Sequence, residues 1–302
     1  MVELGAGQRE LAAALLDEVL ADHPEHLPAL YTSAWMNLQR GKPVNAREQL
    51  LTIARVFADY PGALGTLATL LLPGPSYREV LSFVHHALKP ASYLEIGVET
   101  GATLRLAQFS SIIVGVDPDL SQVQPDAIIS RARLFSCTSD EFFDRHTSQS
   151  ALNSRPLALA FIDGMHQFEY ALRDFCNLET WATRDTVVIM HDVLPILPLV
   201  AARERQTKFW VGDVWKSLWV LLEHRPDLTI SVIPTAPSGL AVIRGFGARK
   251  SLRDTQFETL VEDYSHRSYP DLEPGVFPGH VPLVANTVDG WRAAIGTVEA
   301  TP

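Results

Sequence analysis

The sequence predicts an α/β protein, with an open, mostly parallel seven-stranded sheet covered by helices and an N-terminal helical, repeat-like module in front of it. Three observations lead there. Short apolar runs recur at Tyr93–Ile96, Ile112–Val116, Leu157–Ile162 and Thr186–Met190 with helical stretches between them, the pattern of parallel strands buried on both faces. Residues 8–72 carry helical periodicity instead, with Leu11, Leu15, Val19 and Leu20 on one face and many alanines, which favour helix. Pro73-Gly74-Pro75 separates the two patterns and stops the helices.

The chain has 302 residues, 47% of them hydrophobic, enough for one large domain or two ordinary ones with a sizeable core. Three segments are expected: a helical module over 1–75, a cofactor-binding domain over 76–249, and an irregular C-terminal extension over 250–302 that serves as a lid or interface. A net charge of −10 disfavours nonspecific nucleic-acid binding, and an anionic substrate would need a local cation. Cys137 and Cys176, the two cysteines, exclude a disulfide framework and a tetrathiolate zinc site. Acidic residues stand where a secretory signal would have a basic start, and no apolar run approaches ~20 residues. A soluble cytoplasmic protein, with no membrane or nucleic-acid partner, is the expectation.

In the N-terminal module, VLADHPEHLPAL at Val19–Leu30 returns as VFADYPGALGTL at Val56–Leu67. Together with Ala29, Tyr31, Ala34 and Trp35 in one helix and Gly41, Ala46 and Leu50 around the next, this echo resembles tetratricopeptide-type helical repeats. With fewer than three units, it suits dimerisation or covering an active site better than peptide binding. After the Pro-Gly-Pro stop, Val80–Leu88 reads as a helix leading into the first strand, with His85 and His86 on its surface. Asp213 caps a helix whose stripe is Val214, Trp215, Leu218, Trp219 and Leu222. Leu228–Ile233 and Leu240–Ile243 flank a Pro-Ser-Gly turn and read as a terminal hairpin.

Two constellations carry chemistry. YLEIGVETGATLRLAQFSSIIVGVD, from Tyr93 to Asp117, reads as strand, glycine turn, helix and second strand. Gly97 and Gly101 let the backbone approach a ligand, Asp117 can accept hydrogen bonds from a ribose diol, and Glu95 or Glu99 can receive a cationic amino group. It is not the three-glycine dinucleotide fingerprint, since Glu99 holds the middle position, and this counts against a nicotinamide oxidoreductase. The second constellation lies at two later strand ends. FIDGMH sets Asp163 at one tip with His166 just beyond, and VVIMHDV sets His191 and Asp192 at another. Carboxyl ends of an open parallel sheet share one crevice. There Asp163, His191 and Asp192 offer oxygen and nitrogen ligands to a divalent metal, magnesium or manganese. His166 is the candidate base, since an imidazole side chain suits general acid–base work near neutral pH.

The glycine segment resembles the first motif of class I S-adenosylmethionine-dependent methyltransferases. In that family Gly97–Gly101 would pass the methionine portion of S-adenosyl-L-methionine, Asp117 would hold the ribose, and Thr138-Ser139-Asp140 would approach adenine. FIDGMHQFEYALRDF followed by VVIMHDV resembles the FIDG-x-H and HD strand ends of metal-dependent small-molecule O-methyltransferases over about Val80 to Phe246. The resemblance implies Asp163 and Asp192 as metal ligands, His191 where another acid is common, and His166 near the substrate. Met165 stands where FIDGDH has an acid. The function implied is O-methylation of a hydroxylated small molecule, such as a sugar-containing specialised metabolite, with homo-oligomerisation left open. A noncatalytic helical-repeat interaction protein that keeps the sheet as scaffold is the alternative.

Overall fold

The computed structural model describes residues 6–247, 252 and 256–296, so the boundary expected at 249/250 lies outside the described residues. The chain divides into two compact units. One comprises 1–71 with 207–209, the other 72–206 with 210–302.

The first unit holds α1 (Ala6–Asp22), α2 (Leu27–Gln39), α3 (Pro43–Phe57) and α4 (Ala63–Leu71). Prolines sit in the first turns of α2 and α3, where the missing amide costs nothing. His26 caps α2, its Nδ1 accepting from the Ala29 amide at 3.2 Å. Ala34, Ala46, Leu50, Ile53, Leu67 and Ala68 are completely buried. Small alanines let these helices approach closely.

The second unit runs α5 (Tyr77–Leu88), β1 (Ser92–Ile96), β2 (Ile112–Val116), β3 (Arg133–Phe135), α6 (Ser139–Arg145), α7 (Ser148–Ala151), β4 (Leu157–Ile162), α8 (Phe168–Glu179), β5 (Ala182–His191), α9 (Trp215–His224), β6 (Thr229–Ile233), β7 (Leu240–Arg244), α10 (Phe257–Ser265) and α11 (Val288–Ile295). The seven strands are ordered β3-β2-β1-β4-β5-β7-β6. The first five are parallel to one another, whereas β7 is antiparallel to both β5 and β6. The sheet is therefore mixed, not mostly parallel as expected. The cause is the turn between β6 and β7, too short for a crossover and so able to join only antiparallel strands.

Every residue of β1 is buried, as a central strand covered on both faces requires. Val80, Leu81 and Val84 of α5 and Trp291, Ala294 and Ile295 of α11 pack in one core cluster with Phe161, Ile189 and Val242 of the sheet. The stretch after Arg249, expected to be irregular, thus contributes a helix to the sheet's covering. Its amphipathic run VDGWRAAI, from Val288, is short and flanked by prolines in sequence, which hid it. His85, expected on a helix surface, is fully buried against the edge of the Tyr93 ring at 4.6 Å. Burial, with His86 adding to it, pushes its pKa down to about 4.

The order places a switch point between β1 and β4, because the chain builds outward from β1 on one side and from β4 on the other. Crevices at such points bind ligands at the carboxyl ends of the strands.

Candidate active site

The tips of β1 and β4 touch at Gly97. A Cβ on Gly97 would stand 1.9 Å from the carbonyl oxygen of Asp163, and its φ is +87°. Only glycine satisfies both conditions. The loop after it is held by Asp117 at the end of β2, whose Oδ2 accepts from the amides of Val98 and Glu99 at 2.8 and 2.9 Å. Its Oδ1 accepts from Asp119 N at 2.8 Å. A carboxylate has about four acceptor sites, so room is left for a ribose hydroxyl after three amides are served. Glu99 has φ +48° and Gly101 φ +76°, which turns the loop back toward the helical turn at Thr103.

Glu95, expected to receive a ligand's amino group, is fully buried. It accepts from Tyr93 Oη at 2.6 Å and Thr103 Oγ1 at 2.7 Å. Burial pushes its pKa up to about 8, with Tyr93 and Thr103 opposing. It braces the loop from below instead of lining it. Ser139 and Asp140 begin α6. Asp140 pairs with Arg173 at 2.5 Å, and Ser139 bonds the buried Asp174 of α8.

The second constellation does converge. Asp163, His191 and Asp192 each offer one ligand atom, and these atoms lie within 4.8 Å of one another. The two carboxylates suit magnesium or manganese and the imidazole tips the donor set toward manganese or iron, while the Met165 side chain is exposed and supplies no oxygen. His191 Nδ1 lies 3.0 Å from Asp163 Oδ1, and its Nε2 lies 3.3 Å from Ser238 Oγ. Ser238 donates its proton to Asp192 Oδ1 at 2.5 Å, so it must accept from His191, and both imidazole nitrogens carry protons. Burial works against that charge, but Asp163 and Asp192 outweigh it and hold the imidazole at about 9. Burial would raise the Asp163 carboxyl too, yet His191 brings it below the usual range. Burial wins at Asp192, whose pKa is raised although His191 and His166 oppose. Asp192 has φ +62°, a left-handed conformation that a non-glycine residue holds at a cost and that clusters at functional sites.

His166 completes the group. Its Nδ1 lies 3.2 Å from Asp192 Oδ2 and 3.1 Å from the carbonyl oxygen of Trp210. A carbonyl only accepts, so Nδ1 bears a proton. The ring stacks on Trp210 at 5.3 Å and 19°. Gly212 permits this: a Cβ there would stand 1.7 Å from the His166 carbonyl oxygen, and its φ is +64°. Asp213, expected to cap the helix that follows it, instead accepts from Phe168 N at 2.9 Å and so caps α8. Its other oxygen pairs with Lys216 at 3.0 Å. The two segments flanking His166 are thereby fastened together. Of the four tryptophans expected around a lid or core, Trp210 reaches the site, Trp215 is buried, Trp219 packs on Trp215, and Trp181 packs on Phe142 and Phe143.

Sequence reasoning missed Tyr77, whose ring stacks on His191 at 4.5 Å and 25°, its neighbour Arg78, and Ser238. None lies near the glycine or FIDG motifs in sequence, and only the Pro-Gly-Pro-Ser and Pro-Ser-Gly turns beside them marked these places.

Residues 94–193 match the family model described as a methyltransferase domain, a span running from β1 through Asp192. That span takes in the glycine loop and the tips of β1, β4 and β5, so this part of the chain is similar to methyltransferase domains. Solved structures to which the chain is similar include cofactor-bound Rv0187 from MTB, with 17% identity, TM-score 0.45, and 65% of this chain and 94% of that one covered. An O-methyltransferase from Bacillus cereus in complex with SAH has 14% identity, TM-score 0.44, and coverage of 64% and 94%. The O-methyltransferase TomG from Streptomyces achromogenes, involved in tomaymycin synthesis and in complex with SAM, has 15% identity, TM-score 0.45, and coverage of 67% and 89%. No curated protein matches the sequence.

Proposed function

We propose that the protein transfers the methyl group of S-adenosylmethionine to a hydroxyl oxygen of a small molecule, with His166 as base. The observation that carries this reading is the anchoring of His166 Nδ1 by Asp192 and the Trp210 carbonyl, which leaves Nε2 as a proton acceptor of fixed direction beside the strand tips. Oxygen needs such a base because its nucleophilicity depends on losing the hydroxyl proton. Asp192 stabilises the imidazolium that results. Asp163, His191 and Asp192 would hold a divalent cation, which would lower the pKa of the acceptor hydroxyl and orient it. A ligand imidazole must be neutral, so His191 would give up a proton on metal binding.

On the cofactor side, Gly97 and Gly101 would pass the methionine portion, Asp117 would take the ribose with the acceptor site left over from its three amides, and Ser139 and Asp140 would border adenine. Glu99 is the acid at the loop surface suited to the amino group, with Glu95 beneath it as support. A sugar-containing acceptor is the finer reading carried by the sequence resemblance. The first unit is read as a repeat-like module because Ala21-Asp22 and Ala58-Asp59 both close one helix before the next begins. The noncatalytic alternative is not favoured, since the methyltransferase match includes the proposed base and its carboxylate partner. Among the described residues no helix is long and apolar enough to cross a membrane.

Titration calorimetry with S-adenosylmethionine tests the cofactor reading. Wild-type protein should bind, and Asp117→Ala should bind at least tenfold more weakly while staying folded; no binding by folded wild type would sink the proposal. Mild chelation followed by metal add-back tests the cation. Methyl transfer indifferent to chelation and to Asp163→Ala would remove the cation from the mechanism.

A further inference from the structure

Resting on the methyl-transfer reading, we infer that the acceptor carries a carboxylate beside the hydroxyl to be methylated, and that Arg78 and Tyr77 form the arm that recognises it. Tyr77 and Arg78 open α5, and the start of that helix is fastened to the β6–β7 turn. The Tyr77 amide donates to Ala236 O at 3.2 Å, while Thr235 Oγ1 and Asn286 Nδ2 both donate to Pro75 O, at 2.7 and 2.9 Å. On this platform the Tyr77 ring lies flat on His191, and its hydroxyl accepts from Arg78 Nε at 3.2 Å. Arg78 is thereby held beside the ring that lies on His191.

Among the described residues Arg78 has no acidic partner, and it stands next to the ring that covers His191. The neighbouring Glu79 is occupied, accepting from Ser76 N and Ser76 Oγ at 2.8 Å each. By contrast Arg173 pairs with Asp140, Arg203 with Glu169, Arg225 with Glu179 and Asp227, and Arg267 with Glu223. In a chain of net charge −10, an exposed arginine at the strand tips with both terminal nitrogens uncommitted among the described residues is the local cation an anionic substrate requires. A planar guanidinium fork matches a carboxylate through two parallel hydrogen bonds. One arginine beside two acids also favours a singly charged group over a doubly charged phosphate.

The test uses the full-length protein and two probes that differ in one charge, 2,3-dihydroxybenzoate and 2,3-dihydroxybenzamide, titrated calorimetrically with and without S-adenosylhomocysteine. Wild type should bind the carboxylate at least tenfold more tightly than the amide. Arg78→Gln should erase that ratio while leaving amide affinity unchanged, Arg78→Lys should restore part of it, and Tyr77→Phe should reduce it several-fold. Arg78 is exposed, so these variants should fold as wild type does. Failure of wild type to bind the carboxylate, absence of a preference, or equal weakening of both probes in Arg78→Gln would overturn the inference. The S-adenosylhomocysteine titration run alone reads the methyl-transfer proposal separately, so failure of one is not mistaken for failure of the other.

Discussion

Replacing Asp174 by asparagine should stabilise the protein, and only above a definite pH. Asp174 is 2% exposed, and its Oδ1 has no hydrogen-bond partner. Burial, with Asp140 reinforcing it, pushes its carboxyl up to about 7 from the ordinary 3.8, against the opposing pull of Ser139 and Arg173. Below pH 4 the group is protonated in both folded and unfolded chains and contributes nothing. Between about pH 4 and 7 the unfolded chain has lost a proton that the folded one retains, so stability falls by about 1.4 kcal/mol per pH unit as pH rises. Above about pH 7 both forms are ionised and the full cost, about 4 kcal/mol, is constant. Asparagine fills nearly the same space and does not titrate. The advantage of Asp174→Asn over wild type should therefore grow by about 3 kcal/mol from pH 5 to pH 8 and then level off. Urea unfolding followed by tryptophan fluorescence at pH 5, 6, 7 and 8 measures it. A difference that stays flat with pH, or shrinks, would falsify the assignment of Asp174 as a buried carboxyl held neutral by its surroundings.

The remaining predictions concern the strand tips. Gly97→Ala forces a Cβ to 1.9 Å from Asp163 O and should cost 3 kcal/mol or more by order of magnitude, together with cofactor binding; thermal melting with and without S-adenosylmethionine would show it, and a melting point within a degree of wild type would contradict the close approach. Gly212→Ala should displace His166 and lower kcat far more than cofactor affinity, whereas unchanged kcat would dissociate that backbone contact from catalysis. His166→Gln should lower kcat by about 10²–10⁴-fold with cofactor affinity intact, measured by radiolabelled methyl transfer once an acceptor is in hand, and wild-type turnover would exclude His166 as base. Ser238→Ala removes the hydroxyl between His191 and Asp192 and should lower the His191 pKa of about 9, as read by NMR titration of the imidazole; an unmoved titration would mean that the carboxylates alone set it.

The strand tips were legible in sequence because an apolar run ending in glycine or acid is a local signal. Gly97, Asp117, Asp163, His191 and Asp192 sit at strand ends as their positions implied. What local pattern could not show was which side of the backbone each residue presents and what lies across from it. Glu95 falls on an interior face of β1, so its carboxylate meets Tyr93 and Thr103. Asp213 precedes its own helix like a cap, yet the loop folds it onto α8. β3 is three residues long and begins with an arginine, giving no periodicity to read. The antiparallel course of β7 follows from its short turn, and the hairpin is visible in sequence whereas the insertion of β7 between β5 and β6 is not. Tyr77 and Ser238 reach the site only through long-range packing.

That last pair has a consequence for how kinship should be used with this chain. Span 94–193, the part a family model aligns, contains both strand-tip acids and both histidines. The hydroxyl that bridges His191 to Asp192 comes from Ser238, and the ring lying on His191 comes from Tyr77, one on each side of that span. Two proteins could share the four central residues letter for letter and still surround the imidazole differently, because two of the groups that contact it are contributed from elsewhere. Inheritance of the motif and inheritance of the imidazole's surroundings are separate matters here, and the second draws on a hairpin turn and the first residue of a helix.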